Sequence, residues 1–294
     1  AFQSSLSLSL SLYPPPPPPS CLPLPLTPTM DVSNSAPPAP ACDSPCVCLP
    51  PERVALLEKV ERVEAVPVEL GRQAVAEFLG TMLLVATVVG SGIQADQLSR
   101  DNAGVALLGN AVATWGILYA GITVFGPISS AHFNPIVSLA VFLKDGSRTL
   151  KQLLTFWSAQ VFGGVAGTML AHSMFELDAV AFGGKVRTSA GEAIGEIVAT
   201  FGLLLVVFGS GAKAPMAVGL YIVAGYFFTS STSFANPAVT IARAFTNTFA
   251  SIAWESVPVF LAAQVAGLLI AMPVVEYVLE GRPLAEAAAV LLRK

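Results

Sequence analysis

The chain has 294 residues, 54% hydrophobic and 12% charged, with a formal net charge of -4. It is too apolar for a water-soluble domain of this length, which places it among integral membrane proteins. No long basic run gives a nucleic-acid footprint, and all four cysteines (Cys21, Cys42, Cys46, Cys48) precede the first apolar span, so no disulfide framework is expected in the folded body.

Residues 1–50 read as a low-complexity, Pro/Ser-rich disordered tail. A Ser-Leu alternation leads into Tyr13 and the run Pro14 to Pro19, which favours polyproline II and offers a ligand for SH3-type domains as its one binding role. Met30 is the expected translational start, and no basic region precedes a continuous apolar stretch as in a secretory signal. The spacing Cys42-x-x-x-Cys46-x-Cys48 supplies three thiols without a nearby His, an incomplete zinc site, so no metal and no cofactor are expected. Residues 51–70 read as a juxtamembrane amphipathic helix, with Val54, Leu57, Val60 and Val63 on one stripe against Glu58, Lys59, Glu61 and Arg62.

From Arg72 onward apolar segments recur at about 72–94, 103–125, 149–173, 190–211, 215–232 and 254–279, and residues 282–294 form a C-terminal tail. Gly163-x-x-x-Gly167 and Gly191-x-x-x-Gly195 have the small-xxx-small spacing that lets membrane helices approach closely. Between the apolar segments lie two echoing stretches, Ala131-His132-Phe133-Asn134-Pro135-Ile136 and Ser233-Phe234-Ala235-Asn236-Pro237-Ala238. Asn is a favoured helix N-cap and Pro at the first helical position strands no amide, so each stretch predicts a helix start. The apolar run that follows each is about ten residues, half of what a bilayer requires. Two buried half-helices with N-termini meeting near the midplane are therefore expected.

The chain is an internal repeat. Glu77-Phe78-Leu79-Gly80-Thr81 matches Glu196-Ile197-Val198-Ala199-Thr200, and Ala159-Gln160-Val161 matches Ala263-Gln264-Val265. Each half holds three spans, an odd number, so the second enters with inverted topology. Arg53, Lys59, Arg62, Arg72, Lys144, Arg148, Lys151, Lys213, Arg282, Arg293 and Lys294 share one side, against Arg100, Lys185 and Arg187 on the other. By the positive-inside rule both termini are cytoplasmic, and the plasma membrane is preferred to an organelle membrane.

Paired boxes, here Asn-Pro-Ile and Asn-Pro-Ala in matching places of a repeat, resemble the aquaporin and glycerol-facilitator family, the major intrinsic proteins; the resemblance covers about Gly71 to Gly281. It implies an all-α, aquaporin-like bundle of six transmembrane helices plus two re-entrant half-helices over residues 71–281. It also implies a homotetramer, with the lipid bilayer and small neutral solutes as partners. Asn134, Pro135, Ile136, Asn236, Pro237 and Ala238 would form the pore midplane, where two half-helix N-termini oppose cations and the Asn amides donate to a passing solute. Glu77 and Glu196 would hold the re-entrant loops by accepting backbone amides, and His132 would brace its loop or respond to pH.

The outer constriction of the family maps to Thr114, Ser233, Val239 and a fifth-span residue that one alignment places at Tyr226 and another at Ala224. Val239 stands where most members carry Arg. Its loss removes a charge and a fork of donors, so a wider, less polar filter is expected. Two roles are open to Arg243, four residues and about 6 Å further along the half-helix. It reaches back to restore the donor, or it binds carbonyls at the end of its own half-helix.

The reading that results is a passive channel for glycerol, urea-like amides, neutral metalloid acids such as arsenous acid, and water, through a wide filter without the usual Arg. Its alternatives are a water-selective aquaporin and an ion-coupled secondary transporter, for which Glu77 and Glu196 are the obvious intramembrane acids. A structural or adhesive membrane protein would carry no flux. No phosphate loop, His-Glu-x-x-His motif or catalytic His pairing is present in the sequence, so an enzyme is not expected.

Overall fold

A computed structural model describes residues 21–23, 46–48 and 68–292, and the chain divides into two units, residues 1–67 and 68–294. In the first unit, the short strands β1 (Cys21–Pro23) and β2 (Cys46–Cys48) pair antiparallel, with Cys21 opposite Cys48. The sequence gives no strand signal here, since each strand is only three residues long and one carries a proline. The remainder of the expected tail and nearly all of the expected helix over 51–70 lie outside the described residues.

The second unit is a helical bundle. Its long helices are α1 (Leu70–Leu98), α2 (Ala103–Ser129), α4 (Leu150–Met174), α5 (Ala190–Gly209), α6 (Ala214–Phe228) and α8 (Val257–Val274). Short 3-10 turns lead into α6 and α8, and a π turn extends α8 to Leu279. Among the described residues, six helical stretches are long and apolar enough to cross a membrane, and each overlaps one of the expected spans. Two helices are too short to cross: α3 (Pro135–Lys144) and α7 (Pro237–Ala242), the latter continued by a 3-10 turn over Arg243–Phe245. A last short helix, α9 (Leu284–Ala288), packs against α8.

Local sequence sets these boundaries. The side chains of Asn102 and Thr149 cap α2 and α4, and Ser189 with Glu192 forms a reciprocal capping box at α5. Pro135 and Pro237 occupy the first positions of α3 and α7 behind their Asn caps. The two halves then pack alike. Helix α1 pairs with α2 and α4, as α5 pairs with α6 and α8, while α2 packs against α6 across the halves.

Glycine makes the tightest of these contacts. A Cβ at Gly163 or Gly167 would overlap the Phe78 or Met82 carbonyl of α1, and one at Gly267 would stand 2.7 Å from the Ile197 oxygen of α5. Of the second expected glycine pair, Gly195 packs closely on Ser231, but Gly191 meets only the Ser230 hydroxyl at 3.5 Å.

An ion network fastens the far end of α3. Lys144 bonds Glu280 and lies 3.4 Å from Glu276, a fully buried carboxylate, and Arg282 reaches Glu276 at 3.0 Å and Glu280 at 3.2 Å. Glu276 is a fully buried acid that the sequence does not single out, because it sits at the end of an apolar stretch where solvent is expected.

Candidate functional site

The two half-helices meet N-terminus to N-terminus through their caps. The Asn134 Oδ1 accepts from the Ile136 amide at 2.9 Å, and the Asn236 Oδ1 accepts from Ala238 at 3.0 Å and Val239 at 3.3 Å. Each Nδ2 donates across the repeat boundary, Asn134 to the Ala235 carbonyl at 2.7 Å and Asn236 to the Phe133 carbonyl at 2.8 Å. A carboxamide nitrogen carries two hydrogens, so one remains on each Asn for the lumen. Both residues line a cavity of about 310 Å3.

The loops leading into the boxes are strained in the same way twice. Ser130, Ala131 and Phe133 have φ of 72°, 49° and 48°, and Thr232, Ser233 and Ala235 have 63°, 52° and 46°. Left-handed backbone at non-glycine residues costs about 1–3 kcal/mol each and persists only where the surroundings hold it. A buried carboxylate does so in each half. Glu77 accepts from the amides of His132 (2.9 Å) and Phe133 (2.7 Å), the Ser129 hydroxyl (2.6 Å) and Gln160 Nε2 (2.8 Å). Glu196 accepts from the amides of Phe234 and Ala235, both at 2.8 Å, and from Gln264 Nε2 at 2.7 Å. The glutamines bridge onward, Gln160 to the Ser138 hydroxyl and Gln264 to Thr240, each at 2.9 Å. His132 sets its ring Nδ1 3.0 Å from that same Ser138 hydroxyl, edge-on to Phe156.

The cavity wall separates the expected residues into those that line it and those that do not. Thr114, Tyr226, Ser233, Val239, His132, Asn134, Asn236 and Arg243 line it; Glu77, Glu196, Pro135, Ile136, Pro237 and Ala238 do not. Tyr226 is 4% exposed and pairs its hydroxyl with Thr114 Oγ1 at 3.1 Å, whereas Ala224 faces outward. Among the described residues, the Ser233 hydroxyl has no partner. Apart from Ser130, the rest of the wall is aliphatic and aromatic, including Leu118, Val137, Val207 and Ile222.

At the α7 end the sequence leaves open whether a guanidinium replaces the one missing at Val239. Val239 is in the wall, but Arg243 shares it. The Arg243 Nε donates to the carbonyl of Ala250, in the loop after the half-helix and not at its own helix end, and its Cζ lies 3.5 Å from the centroid of the Phe234 ring. Arg187, which the sequence places simply as an outer charge, is 4% exposed. It donates to the carbonyls of Ser231 and Ser251, each at 3.3 Å, and stands 5.2 Å from the same ring. Burial lowers the Arg187 pKa, opposed by the nearby Glu192, Glu196 and Tyr226. Sequence reasoning also missed Ser129 and Ser231, which a comparison of the two boxes residue by residue exposes, since each lies five positions before its Asn.

Reciprocal caps between two short buried helices, among six helices long and apolar enough to cross a bilayer, are an arrangement that suits a membrane channel. The profile described as "Major intrinsic protein" matches residues 64–230. The chain is 47% identical over 222 residues to aquaglyceroporin AqpS of Rhizobium meliloti (strain 1021), covering 74% of this chain and 94% of that protein. It is 32% identical over 204 residues to the probable aquaporin TIP1-1 of Oryza sativa subsp. japonica, covering 63% and 78%. The X-ray structure of the aquaglyceroporin from Plasmodium falciparum superposes with a TM-score of 0.55 at 22% identity, over 72% of this chain and 97% of that one. The chain belongs to the major intrinsic proteins, a family of passive multi-pass membrane channels, and is not an enzyme.

Replacing Asn236 with Ala removes the cap of a six-residue helix and the bond to the Phe133 carbonyl. We expect a loss of about 1–2 kcal/mol and a several-fold fall in solute flux per channel, read by stopped-flow light scattering. Unchanged flux and an unchanged melting temperature would refute a midplane role for this amide.

Proposed function

We propose that the chain is a channel for small uncharged polar solutes: glycerol, urea-sized amides and neutral metalloid acids such as arsenous acid, together with water. The observation that carries this is the cavity wall at the α7 end. There the aliphatic Val239 shares the wall with three hydroxyl-bearing residues, Thr114, Tyr226 and Ser233. Such a wall offers acceptors and donors to a polyhydroxy solute without the tight, fully polar ring that favours water alone. The name borne by the R. meliloti relative, an aquaglyceroporin, supports the same reading.

In this proposal Asn134 and Asn236 form the midplane, backed by Pro135, Ile136, Pro237 and Ala238. Glu77, Glu196 and His132 brace the loops, and four copies assemble in the plasma membrane with both termini cytoplasmic. Proteoliposomes carrying the full chain test it by shrinkage and reswelling in water, glycerol, urea and arsenous acid. Flux that is linear in concentration and indifferent to ion gradients is expected for all four. The Val239→Arg variant is expected to keep water flux and to lose at least about tenfold in glycerol flux by narrowing the wall. A native chain that passes water alone would overturn the wide-filter reading, and ion-coupled, saturable flux would replace the channel with a transporter.

A further inference from the structure

We propose that Arg243 is a specificity-determining residue of this pore: it delivers, from one helical turn beyond the position held by Val239, the donor fork that reads the solute's oxygens and the fixed charge that turns cations away. The inference rests on the channel reading above and names the residue and the solute chemistry that set its selectivity.

Arg243 follows Val239 by four residues, at the start of the 3-10 turn that continues the half-helix; both line the cavity, and helical side chains lean toward the N-terminus. That lean brings the guanidinium back over Phe234, two residues before the Asn236 cap. The platform is itself fixed. The Phe234 amide is held by Glu196 Oε1 at 2.8 Å, and its ring packs edge-on against Phe260 with centroids 5.0 Å apart. The Ala250 carbonyl takes Nε, while Ile252 donates its amide to the Arg243 carbonyl at 3.3 Å, so head and backbone are both tied to the loop after α7.

What remains unspent is the fork. Arg243 is 3% exposed and in the cavity wall, yet among the described residues no acceptor takes Nη1 or Nη2. A planar guanidinium stacked on an aromatic face presents its two outer nitrogens in fixed geometry, suited to two oxygens on neighbouring atoms or on one central atom. Ser233, whose buried hydroxyl has no partner among the described residues, belongs to the same wall. The solutes this favours are vicinal diols and trihydroxy metalloid acids, over urea, which has a single oxygen. Arg187, pinned beside the same ring by Ser231 and Ser251, adds a second positive charge to the field that a cation would have to pass.

The test compares the full-length native chain with Arg243→Gln, Arg243→Lys and the double variant Arg243→Gln/Val239→Arg in proteoliposomes. Glycerol and urea permeability are read by light scattering, and proton leak by a pH-sensitive dye under an imposed pH gradient. Losing a fixed charge a few ångströms from the path is expected to raise proton leak about a hundredfold in Arg243→Gln, and losing the fork to lower the glycerol-to-urea ratio about tenfold. Arg243→Lys is expected to stay proton-tight but to lose the glycerol preference, and the double variant to recover tightness. Native leak and native solute ratio in Arg243→Gln, with the native chain conducting, would overturn the assignment and leave the channel reading standing. Should Arg243→Gln not reconstitute, Arg243→Lys decides: an unchanged glycerol-to-urea ratio overturns the role of the fork. If the native chain passes no solute at all, the channel reading falls and the assignment falls with it.

Discussion

Replacing Glu196 with Gln is expected to prevent assembly of a stable pore. The carboxylate accepts from two consecutive amides, Phe234 and Ala235, and from Gln264, and it is fully buried. A carboxamide keeps one acceptor and turns two hydrogens toward groups that are themselves donors, so at least one buried N–H is stranded and one pair is set against each other. At about 1–3 kcal/mol for each unsatisfied group, the stranded amide and the opposed pair together cost about 2–6 kcal/mol, a large part of the whole stability of a domain, and the three left-handed residues that the carboxylate holds in place are free to relax. The measurement is the monodisperse fraction after detergent extraction, beside its melting temperature. Glu77→Gln should behave alike, because its four donors include Ser129 and Gln160 as well as two amides. A Glu196→Gln protein that purifies and melts as the native one does would show that the loop is held by something else.

The second large effect is expected at Gly163. An alanine there places its methyl on the Phe78 carbonyl, which belongs to the α1 backbone and has no rotamer to escape into, so α1 and α4 must separate. We expect a loss of about 2–3 kcal/mol, at the upper range of overpacking penalties. Gly191→Ala is the matched control. Its Cβ meets only the Ser230 hydroxyl at 3.5 Å, in the first turn of α5, where replacing glycine gains about 0.5–1 kcal/mol of helix propensity. Thermal inactivation of solute flux in the two variants should therefore shift in opposite directions. Equal shifts would mean that glycine spacing alone, without the close approach, governs both sites.

That contrast shows where the sequence is informative. The two glycine pairs are equivalent as strings, and only the neighbouring backbone separates a contact from open space. The Asn-Pro boxes, by contrast, are legible because cap, proline and short apolar run are all local, and the glutamates and glutamines because the repeat prints each of them twice. Arg187, Phe234 and Ala250 are joined to Arg243 through loops, and no spacing rule connects residues 243, 187 and 234. The sequence therefore left two roles for Arg243 open, and neither included an aromatic platform. Glu276 is inconspicuous in the sequence for a similar reason, since its cations come from the end of α3 and from beyond its own helix.

The crossed bonds between Asn134 and the Ala235 carbonyl, and between Asn236 and the Phe133 carbonyl, bear on how the protein is made. Each joins residues more than a hundred positions apart. During synthesis the first half enters the bilayer with its Asn134 amide and Phe133 carbonyl unmatched by any group that half contains. Polar groups cannot wait dry in hydrocarbon. The first three spans must therefore stay open to water or to the insertion machinery until the last spans arrive. The cavity can then close only when the two halves dock, and the Asn side chains that line it are the same ones that register the halves.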